Sequence, residues 1–187
     1  MHLRRFALVA SLALIAGCGD ETTGPGGIVT GSFSFNFAGG ISGTYTASGS
    51  FPTNAAQQAT TTWAAGEVVT ADGDTYLASA VPASASTHNL VTIFAERITA
   101  GSVSISSSCS PNCGDFGFFF GLPNTGSAPP AQTCFLTTGT VTFSTLSTTR
   151  AVGTFSGSGD CVSAGGATTA FTVTAGTFDV PLVTGVV

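Results

Sequence analysis

Apolar and polar residues alternate along much of the chain from residue 32 onward. In the clearest example Phe33, Phe35 and Phe37 share one parity, and serine and asparagine occupy the positions between them. This alternation predicts a half-buried strand, because successive side chains of a strand point to opposite faces. The dipeptide Gly39-Gly40 then predicts a hairpin turn, with a returning strand over residues 41–47.

A second hairpin is predicted over residues 67–81. Strand-forming residues flank Asp72-Gly73-Asp74, and an Asp-Gly pair favours the tight turns that connect paired strands. Asp72 and Asp74 are also candidate calcium ligands, since calcium binds carboxylate oxygens. The motif lacks the spacing of an EF-hand loop, so a turn is the favoured interpretation and calcium binding is the alternative.

The middle of the chain is predicted to contribute further strands and at most one short helix. Residues 90–95 are apolar at both parities, which predicts a strand covered on both faces, and residues 102–106 alternate again. The phenylalanine-rich run at 116–120 is predicted to lie in the core rather than to form an exposed patch. Residues 52–65 allow a short helix, although three consecutive threonines within them disfavour it.

The C-terminal third has the most regular alternation. Residues 140–144, 153–156, 171–175 and 177–182 predict four strands that form an antiparallel meander. In all, the chain predicts nine or ten short strands and no long helix. The predicted fold is therefore an all-β antiparallel β-sandwich, with a β-barrel as the alternative.

The N-terminus has the pattern of an export signal. A basic start at residues 1–5 precedes an apolar run at residues 6–16, which is too short to span a bilayer but is typical of a secretory signal. The segment that follows, Ile15-Ala16-Gly17-Cys18, resembles the lipobox of bacterial lipoproteins. The resemblance implies cleavage after residue 17 and lipidation of Cys18, and several acyl chains would give durable membrane anchoring.

This resemblance also implies a location and a domain organisation. Residues 1–17 are expected to be the signal peptide, residues 18–30 the lipidated cysteine with a flexible Gly- and Pro-containing tether, and residues 31–187 the β-sandwich domain. The expected location is the bacterial cell envelope. By the sorting rule known for the lipoproteins of some enteric bacteria, Gly19 rather than aspartate after the cysteine implies the outer membrane.

Three later segments resemble a group of small β-rich envelope lipoproteins of unknown function. They are a turn and strand at 72–78, a GTFSG strand at 153–157 and a G-x-F strand at 176–182. The resemblance implies a β fold and an envelope address, and it carries no known activity.

Composition excludes one class of partner. After removal of the signal peptide the chain retains two arginines, no lysine and nine carboxylates, so its formal charge is −7. A chain with so few cations cannot neutralise a phosphate backbone, and nucleic-acid binding is excluded. The expected partners are the membrane, through the lipid on Cys18, and an envelope protein or glycan.

Four cysteines remain outside the anchor: Cys109, Cys113, Cys134 and Cys161. An exported chain meets an oxidising compartment, which favours two disulfides, and three pairings are possible. We expect Cys109–Cys113 and Cys134–Cys161. A four-cysteine zinc site is the alternative, but the spacing lacks paired CxxC motifs.

Residues with catalytic chemistry are few. His88 is the only histidine after the signal peptide, and no Gly-x-Ser-x-Gly motif lies in a strand–turn–helix context. The expected function is therefore a non-catalytic binding or structural role, without a metal or other cofactor. One alternative is a calcium-dependent carbohydrate-binding or adhesion module that uses Asp72, Asp74 and Trp63, and another is a glycan hydrolase that uses two carboxylates.

Overall fold

The computed structural model describes residues 30–52, 60–69, 74–84, 87–95, 100–106, 113–120 and 132–185. These residues form ten strands, which confirms the predicted all-β class. None of the described segments is a helix long and apolar enough to cross a bilayer. In chain order the strands are β1 (Gly31–Gly39), β2 (Gly43–Gly49), β3 (Trp63–Val69), β4 (Asp74–Ser84), β5 (Thr87–Ala95), β6 (Gly101–Ser106), β7 (Cys113–Phe120), β8 (Gln132–Leu146), β9 (Arg150–Ser163) and β10 (Thr168–Gly185).

The strands make one curled sheet that can be divided into two layers. The six-strand layer has the order β2-β1-β10-β9-β8-β6, and all its neighbours pair antiparallel. The four-strand layer has the order β3-β4-β5-β7 and is also antiparallel. The layers join where the end of β10 pairs with β3 and where β7 pairs with the start of β8. The arrangement fits a sandwich or a half-barrel.

The sheet is mixed rather than purely antiparallel, which differs from the prediction. The end of β10 pairs with β3 in parallel, and β6 forms a short parallel pairing with β7. Both parallel pairings join strands of different layers. Alternation within each strand reveals which residues face inward, but it contains no information about the direction of the neighbouring strand.

One hydrophobic core lies between the layers. The six-strand layer contributes large aromatic rings, and the ring of Phe33 lies 5.2 Å from that of Phe155 and 6.2 Å from that of Phe178. The four-strand layer contributes smaller side chains such as Leu77 and Ile93, both fully buried. Each buried phenylalanine or leucine stabilises the fold by about 1.5–3 kcal/mol relative to an exposed one. As the alternation from residue 32 onward predicts, Phe33 and Phe35 are buried in the core.

Two glycines allow β3 to cross closely over the β1–β2 hairpin. Gly31 and Gly49 are directly paired at the open end of that hairpin. A Cβ on Gly31 would lie 2.1 Å from the carbonyl oxygen of Ala64, and a Cβ on Gly49 would lie 2.0 Å from that of Thr62. Because such distances are impossible, the close contact between the layers at this corner requires glycine at both positions.

The C-terminal meander has three long strands instead of four short ones. Residues 171–175 and 177–182 belong to the single strand β10, whose pairing with β9 shifts between Val173 and Gly176. Ala175 at this bulge has a φ of 52°. A bulge inserts a residue and shifts the alternation, so the sequence pattern resembles a strand end. The strands β8, β9 and β10 span 15, 14 and 18 residues and are not short.

Two other local predictions change in the structure. The helix considered for residues 52–65 does not extend through Trp63–Ala65, which belong to β3; residues 53–59 lie outside the described residues. The outward face of β5 is half-buried at Leu90, Thr92 and Phe94 rather than fully covered. The run at 116–120 lies in β7, but its side chains are not among those described.

The predicted disulfide between Cys134 and Cys161 is present. These residues are directly paired between β8 and β9, and both are fully buried. This bond excludes a zinc site that uses all four cysteines. Cys109 and the side chain of Cys113 lie outside the described part of the chain, so their pairing stays a prediction.

Candidate functional site

The outward side of the four-strand layer contains Trp63 and Asp74, two of the three sequence-predicted binding residues. Since alternate residues of a strand share a face, the side chains that point away from the core can be assigned from burial and register. We call this surface the aromatic face. It comprises Trp63, Ala65 and Glu67 of β3, Asp74, Tyr76, Ala78 and Ala80 of β4, and Leu90, Thr92 and Phe94 of β5. Four of these residues are buried, namely Trp63, Ala65, Ala78 and Ala80, and the others are half-buried.

Trp63 is packed against its neighbours at one end of the aromatic face. Its side chain is 8% exposed, and its ring meets that of Phe51 edge-on at 5.1 Å. Ala80 is directly opposite Trp63, and Leu90 packs against the same small cluster. The indole Nε1 is buried without a hydrogen-bond partner. In this structure the ring is therefore not an open surface on which a ligand could stack.

A second pair of aromatic rings lies further along the same face. The rings of Tyr76 and Phe94 are 4.7 Å apart and tilted by 40°, and both side chains are half-buried. Their residues are directly paired between β4 and β5, and Tyr76 is also paired with Glu67 of β3. Glu67, Tyr76 and Phe94 therefore form a row across three strands.

The carboxylate in this row is partly removed from water. Burial raises the pKa of Glu67 above its usual range, because a low-dielectric environment disfavours the charged form. Glu67 is directly opposite Tyr76 on the neighbouring strand, so its carboxylate oxygens can accept a hydrogen bond from a ligand that lies beside the two rings.

Asp74 is close to this row but far from Trp63. It pairs with Val69 at the turn end of the β3–β4 hairpin, whereas Trp63 pairs with Ala80 six positions away. At about 3.3 Å per residue the two side chains are separated by roughly 20 Å, so they do not form one site. Asp74 is instead diagonal to Glu67 on the same face, at a typical spacing of about 7–8 Å.

The sequence predicts Asp72 and Asp74 as alternative calcium ligands at the β3–β4 turn. Asp72 lies outside the described residues. Within the part of the chain that the structure describes, no three metal-ligating side chains come together. The calcium alternative therefore stays a prediction from sequence.

Among the described residues, the buried tyrosine Tyr45 has a structural role. Tyr45 projects into the core and its hydroxyl lies 3.1 Å from that of Ser79. Burial raises the pKa of Tyr45 well above its usual value, so the phenol stays protonated. This hydrogen bond joins the two layers and satisfies two buried hydroxyl groups. His88 pairs with Pro82 through the backbone, and its side chain is not described.

The row of Glu67, Tyr76 and Phe94 was not identified from the sequence. The Asp-Gly turn predicts that residues near 67 and 76 pair, so the turn alone brings two of the three residues of the row together. The contribution of Phe94 depends on the pairing between β4 and β5, and the loop between these strands has no comparable turn signature. Comparisons with protein-family models, with curated proteins and with solved structures find no match, so function must be inferred from the residues themselves.

Proposed function

We propose that the chain is a non-catalytic lipoprotein of the bacterial cell envelope, whose β-sandwich domain is a binding module anchored through lipid on Cys18. The address rests on the lipobox-like residues 15–18. The binding role rests on one observation, the outward row of Glu67, Tyr76 and Phe94.

The anchor and the tether suit a displayed domain. Thirteen residue steps separate Cys18 from the first strand residue Gly31. A flexible Gly-rich linker of this length has an end-to-end distance of roughly 20 Å. The tether would therefore hold the domain above the lipid headgroups with its outer faces accessible. The outer membrane is the proposed location.

The chemistry of the aromatic row favours a carbohydrate as the ligand. Tyr76 and Phe94 are half-buried aromatic residues with rings 4.7 Å apart, and the part of these rings that remains exposed can pack against the C–H face of a sugar ring. The adjacent Glu67 can accept hydrogen bonds from sugar hydroxyls, and charge-assisted bonds of this kind are stronger than neutral ones. The formal charge of −7 on the chain without its signal disfavours an anionic ligand.

Thermal unfolding of the purified full-length protein tests the binding role. A panel of neutral oligosaccharides would be added with calcium and, separately, with a chelator. A ligand at one hundred times its dissociation constant stabilises the folded state by about 2.7 kcal/mol. We expect one sugar to raise the midpoint, and we expect Tyr76→Ala to abolish this rise.

The matched control is Val162→Ala, which truncates an exposed apolar side chain on β9 and should leave the ligand-induced rise unchanged. A midpoint that no sugar raises, or a rise that persists in Tyr76→Ala, would contradict the proposed site. A rise that chelator removes would favour the calcium-dependent alternative. Turnover of a chromogenic glycoside that disappears in Glu67→Gln would favour the hydrolase alternative.

A further inference from the structure

The outer surface of the six-strand layer has rows of hydroxyl groups that run across the strands. Adjacent strands are aligned so that a serine or threonine on one strand is directly opposite a serine or threonine on the next. We call this surface the hydroxyl face. Its first row crosses all six strands and consists of Thr46, Ser34, Thr177, Thr154, Thr142 and Ser102.

Two further rows lie beside the first. The second is interrupted at the bulge in β10, where Thr174 and Ser156 are not directly paired, and the third crosses four strands. Some neighbours are hydrogen-bonded, such as Ser102 and Thr142 with 2.9 Å between their hydroxyl oxygens, and Thr44, which donates to Asn36 at 2.8 Å. The second row is Thr44, Asn36, Thr174, Ser156, Thr140 and Ser104, and the third is Thr172, Ser158, Thr138 and Ser106.

The hydroxyl face is rigid, of low relief and uncharged. Most of its side chains are exposed, while Ser34, Thr142 and Ser106 are half-buried. Serine and threonine are short, and the β-branched threonine has few rotamers to lose on binding. None of the three rows contains a charged residue. The Arg150–Asp179 ion pair lies beyond the first row, and the exposed Asp160 lies next to the third row on β9.

These properties exclude several partners. An uncharged face offers nothing to a phosphate backbone or an anionic lipid surface. A protein partner would find no tryptophan, tyrosine or arginine in the rows to act as an anchor. The rows cover about 24 Å by 13 Å at normal strand and residue spacings, far less than the roughly 800 Å² per partner of a standard protein interface.

A repeating hydroxylated chain matches the rows. Each hydroxyl side chain both donates and accepts hydrogen bonds, and so does each sugar hydroxyl. Neighbouring strands present a hydroxyl about every 4.8 Å, a spacing close to the length of one sugar unit in an extended polysaccharide. Adjacent strands also rotate by roughly 20–25°. A flexible chain can follow this twist, whereas a flat crystalline surface cannot.

We infer that the hydroxyl face binds an uncharged polysaccharide that lies across the strands along the rows. This second site is separate from the aromatic face and does not depend on the function proposed for it. Because each sugar unit would contribute only neutral hydrogen bonds of modest net strength, binding should increase with chain length and be undetectable for monosaccharides.

The test is affinity electrophoresis of the full-length protein in mild detergent, in gels that contain dextran, soluble starch, mannan or a mixed-linkage β-glucan. Alginate is the anionic comparison polymer. The test variant is Thr154→Val with Thr177→Val, which removes two directly paired hydroxyls and retains β-branched side chains. The matched control is Thr148→Val, at an exposed threonine in the β8–β9 turn.

We expect at least one uncharged polysaccharide to retard the protein, and we expect the double variant to weaken this binding about tenfold, as the loss of two neutral hydrogen bonds predicts. The Thr148→Val control should bind as the unaltered protein does, and the double variant should weaken binding to the same extent when Tyr76→Ala is added to remove the proposed aromatic site. Absence of retardation, equal retardation by alginate, or unchanged binding by the double variant would overturn the inference. Self-association that the double variant abolishes would instead assign the face to a second copy of the chain.

Discussion

Breaking the disulfide between Cys134 and Cys161 should produce a large and calculable loss of stability. The bond closes a loop with a sequence separation of 27, for which the chain-entropy treatment predicts about 3.5 kcal/mol of stabilisation. The two residues belong to β8 and β9 and are already in register there. The bond therefore acts chiefly by restricting the unfolded chain, because the folded strands are paired without it.

The assay is denaturant-induced unfolding of the full-length protein with Cys109→Ala and Cys113→Ala, compared between its oxidised and reduced forms, so that reduction breaks the bond between Cys134 and Cys161. Reduction retains both buried sulfur atoms, so it tests the loop constraint without creating a cavity. We expect a free-energy difference of about 3.5 kcal/mol and a thermal midpoint that is lower by about 10 °C. Cys134→Ala with Cys161→Ala should be somewhat less stable than the reduced protein, because truncation also leaves a small void.

The refuting result is a difference below about 1 kcal/mol between the oxidised and reduced forms, which would mean that the loop constraint assumed in the chain-entropy treatment does not operate here. Peptide mapping of the oxidised protein is the control. It should recover a peptide that joins Cys134 to Cys161, and any other partner for either residue would invalidate the calculation.

Three further substitutions test separate parts of the structure. Gly49→Ala should lower the free energy of unfolding, measured by chemical denaturation, by about 2 kcal/mol or more, because the added carbon would lie 2.0 Å from the carbonyl oxygen of Thr62. The control is Gly165→Ala, where the nearest neighbour lies at 3.9 Å, and its free energy of unfolding should change little. Burial raises the pKa of Glu67, so the folded state binds this proton more tightly than the unfolded state, and the stability contributed by the protonated group is lost as the pH rises through the raised pKa. Glu67→Gln should therefore increase the free energy of unfolding at pH 7 by less than about 1 kcal/mol after solvent screening. Equal free energies of unfolding for both proteins at pH 7 would contradict this. Arg150→Ala removes an ion pair whose side chains are 40% and 42% exposed, so the free energy of unfolding in urea should fall by less than about 1 kcal/mol. A loss above about 2 kcal/mol would contradict the view that this is an ordinary surface ion pair.

Local sequence patterns predicted the strands better than their arrangement. Alternation identified β1, and the Gly39-Gly40 and Asp72-Gly73 dipeptides located two hairpins, because these signals act over a few residues. The same reasoning divided β10 at its bulge, since the inserted residue near Ala175 shifts the alternation. Neither the assignment of each strand to one of the two layers nor the parallel pairing of β10 with β3 could be inferred, because both depend on contacts between distant parts of the chain.

The two candidate surfaces differ in how much the sequence revealed. Glu67, Tyr76 and Phe94 come from three strands, and only their register places them side by side. The hydroxyl face follows from the serines and threonines that alternate with core residues in each strand of its layer. A single strand such as β8 shows the alternation around Val141, but only the alignment of six strands converts it into rows.

The most direct test of the envelope proposal is the mass of the N-terminal peptide of the protein isolated from bacterial membranes. The proposed lipoprotein predicts that the mature chain begins at Cys18, that this residue carries acyl chains, and that Cys18→Ala is absent from the membrane fraction. A mature chain that begins elsewhere, an unmodified Cys18, or membrane association that persists in Cys18→Ala would contradict the account.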